Sequence, residues 1–465
     1  MACCTQRTSP ARPPPSLAQA RRTSAVSVDG GIHFQSAMPV AHDADSHVFQ
    51  LGDGERVLGY SVSVPTAHHV DAQGRPSLRN VKRPLVYVHG FPTCRLESKM
   101  LRHAAPGLLA RDGDDPTATA TAVFDVCIAV DRPGVGLSTR YPRDPTLGDF
   151  GLELAELLCA LGHELPWTLL ALSGGGPLAV GAIAPCLRQG LDMRGLVLVS
   201  ALADVSDRFD RCFRDCNATR KLAFLFPVVA ATGMHLSSFP MARLRARVRA
   251  IPDAAVDEDR RKREIRAVAA QMQMTAVEQE WLARFPEGAA ALSDFLEAYL
   301  EGAQATGGRG VADELRLASA GGHHAFEHIF RSEGRGSVQV GSELRSVCAA
   351  LPPSVPVLIV HGREDGMVPL SHADWYKENI VHAEQWTLAD GHGHYTPLLE
   401  PGFPGRIREL LDGKDDGLAD MTDLLDAEEG GGPAPLRRFS SGSRASGSVK
   451  FFTHHDVHSR TVCVP

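Results

Sequence analysis

Short aliphatic runs recur along the middle of the chain, and each is ended by Gly, Pro or Asp. Runs of four to six apolar residues rich in Val, Ile and Leu are what strands buried on both faces require. Helical patterns lie between them, as in residues 149–164 and 175–189. This alternation predicts an α/β fold with a mostly parallel, doubly wound sheet. The runs are PLVYVHG (84–90), VCIAVD (126–131), WTLLALS (167–173), GLVLVS (195–200) and VPVLIVHG (355–362).

Two further segments extend this pattern. Residues 48–64 hold two strand-like runs on either side of Asp53-Gly54, which predicts an antiparallel hairpin. The fourth and fifth aliphatic runs are separated by about 150 residues, far more than a crossover needs. Because helical patterns fill this gap, we predict a helical cap over residues 202–345 that closes over a site at the sheet edge.

Both ends of the chain differ in composition from the middle. Residues 1–28 contain no acidic residue and are rich in Arg, Ser, Thr, Ala and Pro, which cannot build a core. We expect residues 1–47 to form a disordered leader or an organelle transit peptide. Residues 413–465 are first acidic and then rich in Ser and Arg, which predicts a disordered tail. The folded core is then divided between residues 48–201 and 346–412.

Composition excludes several classes of protein. The chain has 465 residues and a net charge of −7 with no long basic segment, so we expect no nucleic-acid partner. No uninterrupted apolar run reaches the ~18 residues of a membrane-spanning helix. The ten cysteines lack paired spacing, which indicates a reducing compartment. We therefore expect a soluble intracellular protein of the cytoplasm, or of a plastid or mitochondrion if the leader is a transit peptide.

One serine stands at a chemically distinctive position. In LLALSGGGPLAV, Ser173 ends an aliphatic run and a helical pattern follows at once. A strand-to-helix turn this sharp strains the backbone, and small neighbours relieve the crowding of Cβ atoms. This pattern predicts a nucleophile elbow, in which Ala171 replaces the usual first glycine. The alternatives are a phosphate-binding glycine loop or an ordinary tight turn, and neither of the common spacings of a phosphate-binding loop is present.

A serine hydroxyl needs a histidine base, and the histidine needs a carboxylate that fixes its tautomer. With an elbow of this kind, the expected chain order is Ser, acid, His. Asp365 follows the fifth aliphatic run, and its neighbour Glu364 is the weaker alternative. Further along the chain, His392 and His394 are both candidates for the base.

Five motifs in this order resemble those of the α/β-hydrolase fold: HGFP (89–92), DRPGVGLS (131–138), LSGGGP (172–177), HGREDGMVP (361–369) and GHGHYT (391–396). More narrowly, they resemble the serine hydrolases of that fold that carry DRPGxGxS and SGGGP. The resemblance covers most of residues 48–412. Carried over by position, it implies Ser173 as nucleophile, Asp365 as acid and His394, in preference to His392, as base.

The oxyanion of such a reaction needs two backbone N–H donors. The residue after the nucleophile, Gly174, is expected to supply one. The resemblance assigns the other to Phe91. His89 lies in the same motif and is expected to hold the loop by side-chain hydrogen bonds. Asp131 and Arg132 are expected to shape the turn beside the pocket.

The resemblance implies a hydrolase without cofactor or metal. Its substrate is expected to be a small acyl compound, with a carboxylic ester or related acyl bond cleaved through an acyl-enzyme. Thioester, lactone, amide and carbon–carbon bond hydrolysis remain open, because fold alone does not give function. The alternative is a non-catalytic ligand-binding receptor or scaffold on the same fold.

Three further segments carry separate hypotheses. HAFEH (324–328) has the spacing of an inverted zinc-peptidase pair but lacks a third ligand. Residues 221–250 join an apolar run to alternating arginines, which indicates either transient contact with a membrane surface or a pocket-lining helix followed by a solvated basic one. Two arginines precede Ser440 and Ser441, a pattern typical of basophilic kinase sites.

Overall fold

The structure is a computed structural model that describes most of residues 46–413. Residues 1–45 of the predicted leader, residues 414–465 of the predicted tail and the segment 324–328 lie outside the described residues, and so do Ser440 and Ser441. The first described strand begins at Ser46, two residues before the predicted start of the core. Within 46–413, the undescribed positions are 64–80, 105–106, 111–121, 143–145, 163–164, 206–209, 252–256, 273, 305–308, 311, 314, 316–339 and 390.

The described strands form one eight-stranded sheet in the order β1-β2-β4-β3-β5-β6-β7-β8. β1 and β2 form the predicted antiparallel hairpin, β2 also pairs antiparallel with β4, and the remaining pairs are parallel. The strands are β1 Ser46–Gln50, β2 Val57–Ser63, β3 Pro84–Val88, β4 Val126–Val130, β5 Trp167–Leu172, β6 Met193–Val199, β7 Val357–Gly362 and β8 Glu384–Leu388.

The five predicted aliphatic runs form the centre of this sheet, as β3 to β7, and are buried along nearly their whole length. Alternate side chains enter two different hydrophobic clusters. In β5, for example, Leu169 and Ala171 belong to one cluster, and Leu170 and Leu172 belong to the other. Because successive strand residues point to opposite faces, both faces of the sheet are covered, as the predicted fold class requires.

Twelve α-helices lie in the described residues. They are α1 Lys99–Ala104, α2 Leu147–Gly162, α3 Gly176–Arg188, α4 Arg211–Asp215, α5 Ala218–Leu225, α6 Pro227–Arg249, α7 Glu258–Gln271, α8 Ala276–Arg284, α9 Gly288–Gln304, α10 Val340–Ala349, α11 Ser371–Asn379 and α12 Phe403–Asp412. We call α4 to α9, residues 211–304, the helical insertion, because they separate β6 from β7. The predicted cap boundary at residue 345 falls inside α10, which packs on α3 of the core. The cap itself stays a prediction.

The surface of α5 and α6 is unusually apolar. Six of the eight large apolar side chains that are exposed in the described residues lie there, and we call them the α5–α6 apolar surface: Leu222, Phe226, Val228, Val229, Leu236 and Phe239. No single described helix is long and apolar enough to cross a membrane. The bent pair α5 and α6, with 116° between its helices, meets the length and composition criteria together.

Arg95 links four segments of the fold and is fully buried. Its guanidinium donates to Asp131 after β4 at 2.8 Å, to Glu301 on α9 at 2.6 Å, and to the Ser46 hydroxyl on β1 at 2.8 Å. Burial lowers the pKa of Arg95, but the two carboxylates outweigh burial and raise it above its usual value. This network therefore connects the sheet to the helical insertion through charges that have no access to water.

We predict that Arg95→Met lowers the free energy of unfolding by about 3–5 kcal/mol, because Asp131 and Glu301 would remain buried without a counter-charge. Urea denaturation measures the effect. Arg284→Met is the control, since its exposed pair with Glu280 contributes little. Equal stabilities of the two variants would contradict a structural role for the buried network.

Candidate active site

Ser173 lies at the turn between β5 and α3. It begins a 3-10 turn, Ser173–Gly175, and α3 starts at the next residue. Its φ is +52°, a left-handed conformation that is unusual for any residue other than glycine. Such backbone strain persists only where the surrounding structure enforces it, and it occurs preferentially at functional sites. The predicted elbow geometry is therefore present at Ser173.

The glycines after Ser173 allow other backbone segments to come very close. A Cβ at Gly175 would lie 2.5 Å from the Val88 carbonyl oxygen and 2.7 Å from that of His89. A Cβ at Gly176 would lie 2.7 Å from the Ala201 Cβ. Side chains at these positions would push α3 away from the ends of β3 and β6. The run of glycines is thus explained by close packing at the carboxyl edge of the sheet.

Asp365 and His394 are brought together by the ends of β7 and β8. His394 Nδ1 lies 2.8 Å from Asp365 Oδ2. The other carboxylate oxygen, Oδ1, accepts the backbone N–H groups of Met367 at 2.7 Å and Val368 at 2.8 Å. Because both carboxylate oxygens are held, the Asp365 side chain is fixed, and the acceptor at Oδ2 places the proton of neutral His394 on Nδ1.

Electrostatics keeps Asp365 ionised. Burial raises the pKa of Asp365, but His394, His361 and the Val368 N–H outweigh burial and bring the pKa to about 2. His361 lies 3.5 Å from Asp365 Oδ2 and donates through Nε2 to the Val368 carbonyl at 2.8 Å. Burial lowers the pKa of His361, so this second histidine is neutral at pH 7.

One segment after β6 contacts both Ser173 and His394. The Leu202 N–H donates to the Ser173 carbonyl at 2.8 Å, and the Ser200 hydroxyl donates to the His394 carbonyl at 2.9 Å. Within the described residues, no hydrogen bond joins the Ser173 hydroxyl to the His394 imidazole. In enzymes without substrate, this bond is often long and forms when the substrate binds.

The other two predicted candidates lie elsewhere. Glu364 accepts the Gly391 N–H at 3.0 Å and is exposed. His392 lies 3.5 Å from Glu400. The structure therefore brings Asp365 to His394, and it does not bring Glu364 or His392 into that pair.

Phe91 and Gly174 lie side by side at the turn. A Cβ on Gly174 would be 3.0 Å from the Phe91 Cβ and 3.6 Å from the Phe91 nitrogen. The Phe91 loop is held on both sides of Gly90, whose N–H donates to Glu97 at 2.6 Å and whose carbonyl accepts from Arg132 Nη2 at 2.8 Å. The two predicted oxyanion donors thus belong to neighbouring, closely packed backbone segments.

Sequence reasoning missed Glu97, which organises this loop. Its buried carboxylate accepts from the Gly90 N–H, from the Tyr87 hydroxyl at 2.8 Å and from the Thr93 hydroxyl at 2.8 Å. Burial raises the pKa of Glu97, and these donors offset part of that effect. Glu97 lies beyond the end of the HGFP motif and matches no motif spacing, so only the packed loop reveals it.

Asp131 and Arg132 shape the neighbouring turn. Asp131 accepts the N–H groups of Arg95 at 2.7 Å and Leu137 at 2.8 Å. His89 accepts the Arg132 N–H at 3.2 Å. Burial lowers the pKa of His89 well below its usual value, so this histidine is neutral. These contacts fix the loop on which Phe91 lies.

A cavity of about 580 Å³ opens onto Ser173. Phe91, Ser173 and Gly174 line it from the sheet edge, and Phe224 and Tyr299 are among the residues that line it from the helical insertion. A mostly apolar cavity of this size, with a few polar groups, is typical of small-molecule sites. Among the described residues, no three His, Cys, Asp or Glu side chains are grouped as metal ligands.

A family model for the alpha/beta hydrolase fold matches residues 83–401. The chain belongs to the α/β-hydrolase fold family. This membership confirms the predicted fold class and the expectation of a hydrolase. A comparison with curated proteins gave no match.

Solved structures with detectable similarity include two esterases and a bromoperoxidase. An esterase from Rhodococcus sp. is 19% identical, with 79% of this chain and 98% of that one covered and a TM-score of 0.42. A thermophilic esterase from Thermogutta terrifontis is 17% identical, with 80% and 99% covered and a TM-score of 0.40. A bromoperoxidase from Bacillus anthracis is 15% identical, with 79% and 99% covered and a TM-score of 0.43.

We predict that Gly175→Ala lowers the free energy of unfolding by about 1–3 kcal/mol, because its Cβ would overlap the backbone at the end of β3. Chemical denaturation measures the loss. Gly405→Ala is the matched control: it lies in α12 with open space around its Cα, and alanine there is expected to be neutral or to stabilise by up to ~1 kcal/mol. Unchanged stability of Gly175→Ala would contradict the close approach described above.

Proposed function

We propose that this protein is a serine hydrolase that cleaves a carboxylic ester, or a related acyl bond, through an acyl-enzyme. Ser173 is the nucleophile, His394 the base and Asp365 the acid. The observation that carries the proposal is the 2.8 Å contact between His394 and Asp365 at the sheet edge where the strained Ser173 faces the cavity. A neutral histidine held by a buried carboxylate is what a serine hydroxyl needs to react.

In the proposed reaction, Ser173 Oγ attacks the ester carbonyl carbon while its proton moves to His394 Nε2. Asp365 stabilises the resulting imidazolium. The N–H groups of Gly174 and Phe91 bind the oxyanion, each contributing about 3 kcal/mol by comparison with other acyl-transfer enzymes. The alcohol leaves with the proton from His394. Water, activated by His394, then attacks the acyl-enzyme and releases the acid.

Several contacts support an oxyanion site that is formed before substrate binds. Glu97 and Arg132 hold the two sides of Gly90, so the next residue, Phe91, has little freedom to turn its N–H away. Donors fixed in this way cost no reorganisation during the reaction. The helical insertion, which forms much of the cavity wall, would act as the cap that shapes the substrate pocket.

The alternative is a receptor that uses the cavity for ligand binding alone. The strained Ser173 backbone counts against it, since such a conformation costs about 1–3 kcal/mol and occurs preferentially at active sites and ligand clamps. A fluorophosphonate probe separates the two functions, because it labels only an activated serine. Labelling of the wild-type protein at Ser173 supports the hydrolase.

We predict that Ser173→Ala lowers the hydrolysis rate of p-nitrophenyl esters by at least ~10³-fold, as removal of a triad serine does in other enzymes. The series from acetate to palmitate also reports which acyl length the cavity accepts.

His394→Ala and His392→Ala form a matched pair for the same assay. The first is expected to lose activity as severely as Ser173→Ala, and the second to retain it, because His394 contacts Asp365 and His392 lies against Glu400 instead. A wild type that hydrolyses no ester, or a Ser173→Ala variant that remains fully active, would count against the proposed function.

We also propose that the α5–α6 apolar surface rests transiently on an anionic lipid surface. Its six side chains are 43–66% exposed, and Leu222, Phe226 and Val229 also line the cavity. Val229, Leu236 and the exposed Arg243 are seven residues apart, so they share one face of α6. An apolar face that continues into exposed arginine complements the acyl chains and acidic headgroups of a membrane.

Sedimentation with vesicles tests this contact. We predict binding to phosphatidylcholine vesicles that contain phosphatidylserine, weaker binding to phosphatidylcholine alone, and loss of both in a Phe226→Ser, Leu236→Ser double variant. Val381→Ser is the control, because Val381 is 88% exposed and belongs to neither α5 nor α6. Equal binding of the double variant and the control would show that this surface does not meet the membrane.

A further inference from the structure

Arg220 lies on α5 and lines the cavity together with Ser173. Its backbone N–H donates to the side chain of Asn217, which caps the helix. The guanidinium itself has no carboxylate within 4 Å and no hydrogen-bond acceptor among the described residues. Burial lowers the pKa of Arg220, and the charge of Asp365 offsets part of that effect. An arginine remains protonated at neutral pH even so, and the cavity therefore contains a positive charge.

Two of the buried arginines in the described residues have partners that belong to the chain. Arg95 binds Asp131 and Glu301. Arg261 donates to three backbone carbonyls, including that of Phe285. Withdrawing a charge from water is costly unless it is paired, so a cation at a cavity wall with no hydrogen-bond acceptor among the described residues is a candidate binding group for an anion.

The charge of the cavity lining has a single sign. Its charged side chains in the described residues are Arg132 and Arg220, and neither Asp nor Glu lines it. The protein as a whole carries a net charge of −7, so this positive interior does not follow from the general composition. In an apolar cavity the field of a cation is weakly screened and attracts anions, and Asp365 offsets only part of the charge of Arg220.

We propose that the substrate is an ester that also bears a carboxylate, and that Arg220 binds this carboxylate while Ser173 attacks the ester carbonyl. This inference rests on the proposed function and names its substrate class. A guanidinium can hold a carboxylate through two parallel N–H bonds, which fixes the orientation of the substrate as well as its position. The apolar cavity wall takes up the hydrocarbon between the two groups.

Arg220 also lies within electrostatic range of Asp365, since the two charges interact. The carboxylate of the substrate would therefore be bound close to the proposed triad. An anionic substrate is thus expected to have a lower KM than its neutral analogue and a similar kcat.

Two pairs of matched substrates test the proposal and show which side of the ester carries the charge. For the acyl side, mono-p-nitrophenyl glutarate is compared with p-nitrophenyl valerate. For the alcohol side, 4-acetoxybenzoate is compared with its methyl ester. The wild type is expected to prefer the anionic member of at least one pair. Arg220→Met is expected to lower kcat/KM for that member by about 10- to 100-fold and to leave the neutral member nearly unchanged.

Two further variants serve as controls. Arg220→Lys keeps the positive charge but cannot form two parallel N–H bonds to a carboxylate. Its kcat/KM for the anionic ester is expected to fall between those of wild type and Arg220→Met. Arg214→Met removes an exposed arginine of α4 and is expected to keep the full preference. If Arg220→Met lowers the rates for anionic and neutral esters equally, Arg220 has a structural role only and the inference fails, while the proposed function stands.

A binding measurement keeps the inference testable without catalysis. Calorimetry with glutarate on the Ser173→Ala variant is expected to show binding that is lost in the Ser173→Ala, Arg220→Met double variant. Pentane-1,5-diol, which has the same length without charge, is expected not to bind. If the wild type hydrolyses no ester but glutarate binds through Arg220, the proposed function fails and the carboxylate site stands. Absence of glutarate binding overturns the site.

Discussion

The left-handed backbone of Ser173, with a φ of +52°, is the constraint on which the site depends. Such a conformation costs about 1–3 kcal/mol and is held by packing around it. The glycines that follow bring α3 against the ends of β3 and β6, and Leu202 donates to the Ser173 carbonyl. Because these strands end at one edge of the sheet, the packing that enforces the turn also sets the distance from Ser173 to the Phe91 loop.

Around this turn, each buried carboxylate is held by several hydrogen-bond donors, which include backbone N–H groups. Asp365 is held by two N–H groups before it reaches His394, and Glu97 is held by the Gly90 N–H. Each carboxylate therefore has one geometry. In a low-dielectric site, groups that are already oriented stabilise developing charge without reorganisation, which is the property that the proposed mechanism requires.

The sequence was sufficient for features that depend on local pattern. Continuous Val, Ile and Leu runs predicted β3 to β7, and motif order predicted that Asp365 and His394 would meet. It was not sufficient for contacts between residues far apart in the chain. Arg95 and Glu301 are separated by 206 positions, and no spacing rule connects them. The position of Arg220 in the cavity could not be predicted either, because it depends on how α5 packs near the sheet edge.

Arg95 and Arg220 are both cations that a carboxylate can stabilise, and they differ in the source of that carboxylate. Arg95 is fully buried and Arg220 is half-buried, and both lie where the helical insertion meets the core. At Arg95 the insertion supplies the carboxylate, from Glu301 on α9, and the two parts of the protein are linked permanently. At Arg220 the insertion supplies the cation, and we propose that the substrate supplies the carboxylate. Substrate binding would then complete a second ionic link between α5 and the sheet edge, which couples recognition of the anion to the geometry of the reacting serine.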